Sequence, residues 1–89
     1  MHTYKTKGVC ARAVRFDIRD GAVTGVVFEG GCHGNGQGIA RLAEGMAPGE
    51  VAARLEGIAC GGRGTSCPDQ LAKGLREAME IINGDVRKE

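Results

Sequence analysis

Aromatic residues are scarce in this 89-residue chain, which has no Trp, one Tyr and two Phe. Proteins that bind single-stranded nucleic acids stack the bases on aromatic side chains, so this shortage argues against that role. An excess of positive charge is lacking too, because the net charge is +1 and both signs are interspersed. Nucleic-acid binding normally needs a clustered basic face. We therefore expect no nucleic-acid partner.

Long apolar runs are also missing. No segment approaches the roughly 18 consecutive apolar residues of a membrane-spanning helix. The opening residues, MHTYKTKGVC, contain no apolar core of the kind that marks a secretory signal. We therefore expect a cytoplasmic protein without membrane attachment, in a compartment where structural disulfides are uncommon.

Glycine, in contrast, is abundant, with 16 residues, many of them clustered beside cysteines in GGCHGNGQG and CGGRG. Glycine permits positive φ and close backbone approach, which a chain folding tightly round a site requires. A chain of this length forms a single domain, residues 1–89. Its core is small, and such folds often need additional stabilisation from a disulfide or a metal ion.

The stretch ARAVRFDIRDGAVTGVVFEG predicts a β-hairpin. Apolar and charged residues alternate from Val14 to Arg19, and this two-residue period is typical of a strand with one solvent-exposed face. Asp20-Gly21 is a strong signal for a two-residue turn, and the return strand covers about Ala22–Glu29. Its apolar residues divide between two faces, with Val26 and Phe28 on one and Val23 and Val27 on the other. The letters TYKTK predict a further short strand.

Two helices are predicted next. The first covers Gln37–Glu44 with Asn35 as its cap, and the second begins at Pro48 and ends at Gly57. The inward-facing residues predicted for them are Ile39, Leu42 and Met46 in the first, and Val51, Ala52 and Leu55 in the second.

A third helix gives the clearest pattern. It begins at Pro68, with Cys67 at the cap, and runs to about Ile82, where Asn83-Gly84 stops it. Its apolar stripe consists of Leu71, Leu75, Met79 and Ile82. A three-stranded antiparallel sheet followed by three helices on one face is a two-layer α+β domain.

The four cysteines stand at joints between the predicted elements: Cys10, Cys32, Cys60 and Cys67. Thiols at loop ends can converge on one point, as the ligands of a zinc ion or an iron–sulfur cluster do. We therefore predict that all four bind one metal centre. Unconnected free thiols, two disulfides, and a redox pair of Cys60 and Cys67 remain open as alternatives.

Two of the cysteines have surroundings that favour the thiolate form. Cys67 lies at a helix N-terminus, where free N–H groups and the helix dipole stabilise a negative charge. Cys32 is flanked by glycines whose amides can point at its sulfur. His33 and Asp69 are weaker candidate ligands, since a lone surface histidine and a first-turn carboxylate commonly need no function. Arg63 lies between two cysteines and can stabilise the negative charge of a thiolate, although such an arginine is more often solvated.

The motif TSCPD, residues Thr65–Asp69, together with GGCHGNG and the order of the four cysteines, resembles the TSCPD domain family over nearly the whole chain. Members of that family are small four-cysteine proteins, or a module at the C-terminus of some cobalamin-dependent ribonucleotide reductases. The resemblance implies a protein partner such as a reductase, and a thiol-redox role associated with it.

The layout is also similar to the U-type iron–sulfur cluster scaffold proteins, through DGAVTGVVFEGGC and LAEGMAPGEVAARL. That similarity implies a scaffold-like fold with Cys10, Cys32 and Cys67 gathered at one end, and a cluster-assembly protein as partner. The scaffolds have an Asp where this chain has Arg12, and they lack a counterpart of Cys60. Cys60 then supplies the fourth sulfur ligand in place of the carboxylate.

Three functional hypotheses follow. The first is a cysteine-ligated metal-binding domain of scaffold or accessory type. The second is a reductase-associated module whose thiols shuttle reducing equivalents, and the third is an interaction domain with a purely structural zinc. We expect no catalytic residues, because a chain of this length cannot house a reductase active site and shows no Ser/His/Asp or paired-carboxylate constellation.

Overall fold

The computed structural model describes residues 2–9, 11–30, 33–59 and 64–87, and it describes side chains for these residues except 33–35 and 82–87. The elements follow in the order β1 (His2–Lys5), β2 (Ala11–Arg19), β3 (Ala22–Gly30), α1 (His33–Ala43), α2 (Pro48–Leu55) and α3 (Cys67–Arg87). The strands form one antiparallel sheet in the order β1-β2-β3. The predicted α+β layout of three strands followed by three helices is confirmed.

The turn between β2 and β3 has the predicted chemistry. Asp20 has a φ of 53° and Gly21 a φ of 77°. Positive φ at both turn residues belongs to the type I′ turn, whose twist matches that of a β-hairpin. The predicted first strand is present as β1, which pairs with β2 but begins one residue earlier and ends two residues earlier than the TYKTK pattern indicated.

A β-bulge in β3 changes which side chains face the core. Two residues of β3, Gly25 and Val26, lie opposite Phe16 alone, and Gly25 has a φ of 62°. The extra residue puts Val23 and Val26 on the same buried face. The prediction that Val23 and Val26 lie on different faces of the strand is therefore wrong, whereas Val27 is on the face away from Val26 and is 45% exposed.

The core lies between one face of the sheet and the helices. Phe16 and Val14 of β2 and Leu71 and Leu75 of α3 are fully buried there, and α2 contributes residues 51 and 52. Leu55 and Met79 pack against this core as predicted. The side chain of the remaining predicted α3 residue, number 82, lies outside the described side chains.

Helix α1 begins at His33, four residues before its predicted start, so Asn35 lies inside the helix and is not its cap. The reason is the close contact between α1 and β3. A Cβ on Gly36 would lie only 3.1 Å from Cδ2 of Phe28. Glycine at this position permits close packing of the helix on the strand, rather than forming a loop.

The predicted apolar stripe of α1 is only partly correct. Ile39 and Met46 pack against the core, but Leu42 is 79% exposed. The small side chains of Ala40 and Ala43 face the sheet in its place, with Ala43 buried and Ala40 packed against the core.

The predicted bounds of α2 are confirmed, and the predicted end of α3 is wrong. Pro48 occupies the first turn of α2, and Gly57, with a φ of 85°, follows its end. Helix α3 passes through Asn83-Gly84 and continues to Arg87. Glycine in a helix costs about 1 kcal/mol relative to alanine, whereas a proline would have prevented continuation, and no proline follows here. In the described part of the chain, no helix has both the length and the apolar character needed to cross a membrane.

Candidate metal centre

Helix α3 is capped by Ser66, one residue before the predicted cap. The Ser66 Oγ accepts a hydrogen bond from the Asp69 N–H at 3.2 Å, and the Ser66 carbonyl accepts one from the Gln70 N–H at 2.8 Å. These are the two bonds of an N-cap residue. Cys67 is therefore the first residue of the helix and not its cap, and its thiol is half-buried.

Asp69 joins three segments of chain through its buried carboxylate, which belongs to a residue only 4% exposed. Its Oδ1 accepts a hydrogen bond from the Gly57 N–H at 2.7 Å, and its Oδ2 accepts one from the Thr65 hydroxyl at 2.5 Å. Burial raises the pKa of this carboxyl, but the hydrogen bonds from Thr65 and Gly57 and the charge of Lys73 outweigh burial and lower the pKa below its usual value. With both oxygens engaged, the structure favours a structural role for Asp69 over metal ligation.

Gln70 connects α3 to the segment between β1 and β2. Its Oε1 accepts a hydrogen bond from the Lys7 N–H at 3.0 Å, and its Nε2 donates to the Thr65 hydroxyl oxygen at 2.9 Å. Gln70 is 4% exposed. The sequence analysis missed this residue, although a polar side chain directly after the TSCPD motif and inside the first turn of a helix was the available signal.

The chain just before Cys10 lies against the chain just before Cys67. Gly8 has a φ of 75°, and a Cβ at that position would lie 3.4 Å from Cγ2 of Thr65. Thr6 closes the loop that holds Gly8, since its hydroxyl donates to the Ala11 carbonyl and its N–H donates to the Arg12 carbonyl at 3.2 Å.

Two further contacts bring in the chain near the other cysteines. Gly30 pairs with Ala11 in the β2–β3 ladder. The Ser66 hydroxyl donates to the Ile58 carbonyl at 2.7 Å. Several described residues within two positions of a cysteine thus contact one another in pairs, and we refer to the following set as the cysteine-flanking residues: Gly8, Ala11, Gly30, Ile58, Thr65 and Ser66.

Most of the predicted ligands fall on positions that the structure does not describe. Cys67 is described, whereas Cys10, Cys32 and Cys60, and also Arg63, lie outside the described residues. His33 is the first residue of α1, and its side chain is not among those described. Within the described part of the chain, no three His, Cys, Asp or Glu side chains cluster to hold a metal ion. The four-cysteine centre stays a prediction.

A scan against protein-family models matches the TSCPD domain over residues 2–79. The chain belongs to the TSCPD domain family. Searches of curated proteins and of solved structures found no match. The matched range begins with β1 and ends inside α3, so it takes in the whole sheet and all of α1 and α2.

In this TSCPD domain, the polar residues of the signature motif serve the fold. Thr65 and Ser66 both hydrogen-bond to Asp69. Asp69 and Ser66 also bond to the two residues at positions 57 and 58, just after α2, and Gln70 extends the network to Lys7. No buried side-chain nitrogen or oxygen among the described residues lacks a hydrogen-bond partner. The network fixes the start of α3 and presents Cys67 in its first turn.

Proposed function

We propose that this TSCPD domain binds one metal centre, a zinc ion or an iron–sulfur cluster, through Cys10, Cys32, Cys60 and Cys67. One observation carries the proposal: the cysteine-flanking residues contact one another in pairs, and each pair joins chain near two different cysteines. Gly8 lies against Thr65, Ala11 pairs with Gly30, and Ser66 bonds to Ile58.

The length of the intervening chain supports the proposal. Cys32 follows Gly30 by two residues, Cys60 follows Ile58 by two, and Cys10 directly precedes Ala11. Two residues of extended chain span at most about 7 Å. Each of these three cysteines is therefore tethered by a short segment to a residue that contacts chain near another cysteine.

The donor set fits soft metals. Four thiolates are the usual ligands of structural zinc and of iron–sulfur clusters, and they are a poor set for Mg²⁺ or Ca²⁺. A centre with four sulfur ligands has no open position, which suits a stably held metal better than catalysis at the metal. The expected partner is a cluster-assembly protein or a ribonucleotide reductase. A reducing compartment such as the cytoplasm keeps the thiols available for the metal.

A thiol-redox module is the second candidate, and one contact favours it. The Ser66–Ile58 hydrogen bond holds the segment before Cys60 beside the start of α3, and the Cys67 thiol is half-buried rather than sealed in the core. A pair of thiols in such a place can exchange electrons with a reductase by forming and breaking a disulfide. In the third candidate, an interaction domain with a purely structural zinc, the metal only stabilises the fold.

The test is metal and sulfide analysis, with an absorption spectrum, on protein purified without oxygen. We expect one metal centre per chain, colourless for zinc and brown for a cluster. Cys32→Ala and Cys67→Ala should abolish binding, and Cys60→Ala should weaken it least, whereas His33→Gln should retain the metal. A wild-type protein that binds neither zinc nor iron when it is reduced would contradict the proposal.

A further inference from the structure

We propose that Arg12 compensates the negative charge of the thiolate centre from its outer shell. The inference rests on the proposed function and adds to it a residue that sets how tightly the metal is held. It starts from an irregularity in the sheet beside Cys10.

Arg12 occupies a bulge at the start of β2. Ala11 pairs with Gly30 and Ala13 pairs with Glu29, so Arg12 has no residue opposite it in the ladder. A bulge turns the side chain of the extra residue away from its regular direction. The neighbouring side chains at positions 11 and 13 are both buried, whereas Arg12 is exposed.

The side chain of Arg12 extends over the end of β3. Its Nη1 lies 3.5 Å, and its Cζ 3.8 Å, from the point that a Cβ on Gly30 would occupy. Gly30 has a φ of 80° and precedes Cys32 by two residues. Arg12 itself follows Cys10 by two residues. The guanidinium therefore lies beside Gly30, one of the cysteine-flanking residues.

The charge of Arg12 is not neutralised by a carboxylate in the part of the chain that the structure describes. Glu29, the acidic residue paired in the ladder with Ala13, forms its ion pair with Arg15 at 2.9 Å. Other basic side chains are paired in the same way: Arg19 with Asp17, Arg54 with Glu50, Lys73 with Asp69, and Arg76 with Glu56.

A cation suits this position because of the charge of the centre. Four thiolates around Zn²⁺ carry a net charge of about −2, and guanidinium is the side chain that stays positive at every relevant pH. Groups just outside the ligand shell typically change metal affinity by about 10- to 100-fold when they are replaced. Since Arg12 is exposed, its effect also depends on salt, which screens charges over roughly 10 Å at 0.1 M.

Competition between the reduced protein and a chromophoric chelator for Zn²⁺ tests the inference. We expect Arg12→Gln to raise the dissociation constant about tenfold, and Arg12→Lys to raise it much less. The matched control is Arg41→Gln, because Arg41 is an exposed arginine in the last turn of α1. This control should bind like the wild type. In 1 M salt the difference between wild type and Arg12→Gln should shrink.

The Co²⁺ absorption spectrum shows whether the sulfur ligands are intact in each variant. An unchanged spectrum in Arg12→Gln with weaker Zn²⁺ binding supports an outer-shell electrostatic role. Equal dissociation constants for Arg12→Gln and Arg41→Gln, or equal weakening by glutamine and lysine at position 12, would overturn the role of the charge while leaving the four-cysteine centre intact. A wild type that does not bind Zn²⁺ would overturn both proposals.

Discussion

At the scale of single residues, the TSCPD motif combines two kinds of side chain. Cys67 is a proposed metal ligand, and Thr65, Ser66 and Asp69 hold the backbone that positions it. The position of Cys67 at the start of a helix could be predicted from Pro68, which suits the first turn. The role of Ser66 could have been predicted as well, since serine is a preferred N-cap residue.

The partner of Gln70 could not be predicted from the sequence. Its hydrogen bond to Lys7 joins residues 63 positions apart, and such a bond has no local signature. The structure supports the expectation that Asp69 needs no ligand role. The reason could not be predicted from the sequence, because one hydrogen-bond partner of the Asp69 carboxylate is the backbone N–H of Gly57.

Asp69 should make the domain sensitive to acid. The pKa of this carboxyl is lower in the folded chain than its ordinary value of 3.8. Its contribution to stability is therefore fully present above about pH 4 and is lost as the pH falls through the folded-state pKa. In urea melts, the stability difference between wild type and Asp69→Asn should be largest near neutral pH and shrink below pH 4. A difference that stays constant down to about pH 2 would contradict this role.

Replacement of Gln70 by leucine should destabilise the domain by about 1–3 kcal/mol, because the Lys7 N–H would lose its partner. Glu80→Leu, on the exposed face of α3, is the matched control and should change the free energy of unfolding by less than about 0.5 kcal/mol. Urea denaturation of both variants measures the effect. Equal stabilities would show that the hydrogen bond is dispensable.

At the scale of elements, the strands and helices could be predicted where apolar periodicity is regular. The β2–β3 hairpin and α2 agree with the sequence patterns. The bulge at Gly25 was missed, although an isolated glycine inside a strand is its usual signal. The start of α1 was missed because glycine has two uses, and here it provides close packing on Phe28 rather than a loop.

Gly74 marks the contact between α3 and the sheet. A Cβ at this position would lie 2.9 Å from Cβ of Tyr4 and 3.3 Å from Cε2 of Phe16. Gly74→Ala should therefore destabilise the domain by about 1–3 kcal/mol through overpacking, even though alanine is the better helix former.

Gly38 in α1 is the matched control, since a Cβ there would meet no atom within 4 Å. Gly38→Ala should stabilise the domain by about 0.5–1 kcal/mol. Thermal melting of the two variants gives opposite shifts if α3 packs on β1 as described. A stabilised Gly74→Ala would show that this contact is looser than the structure indicates.

At the scale of the whole molecule, the sheet and helices form the core, and the cysteine-flanking residues contact one another in pairs. The architecture could be predicted because it depends on local patterns. The convergence of the four cysteines stays a prediction from their positions at loop ends, and the contacts that support it join residues far apart in the chain. In a domain with so small a core, a bound metal adds directly to the free energy of folding.

Counting alkylated cysteines by mass in the native, reduced protein tests the central claim most directly. A metal-bound thiolate is not a free nucleophile, so we predict that Cys10, Cys32, Cys60 and Cys67 are protected together and that a chelator exposes all four together. Thermal melting of the same samples should show a lower midpoint after chelation. A change in reactivity confined to Cys60 and Cys67, driven by mild oxidant in protein that holds no metal, would contradict the metal centre and favour the thiol-redox module.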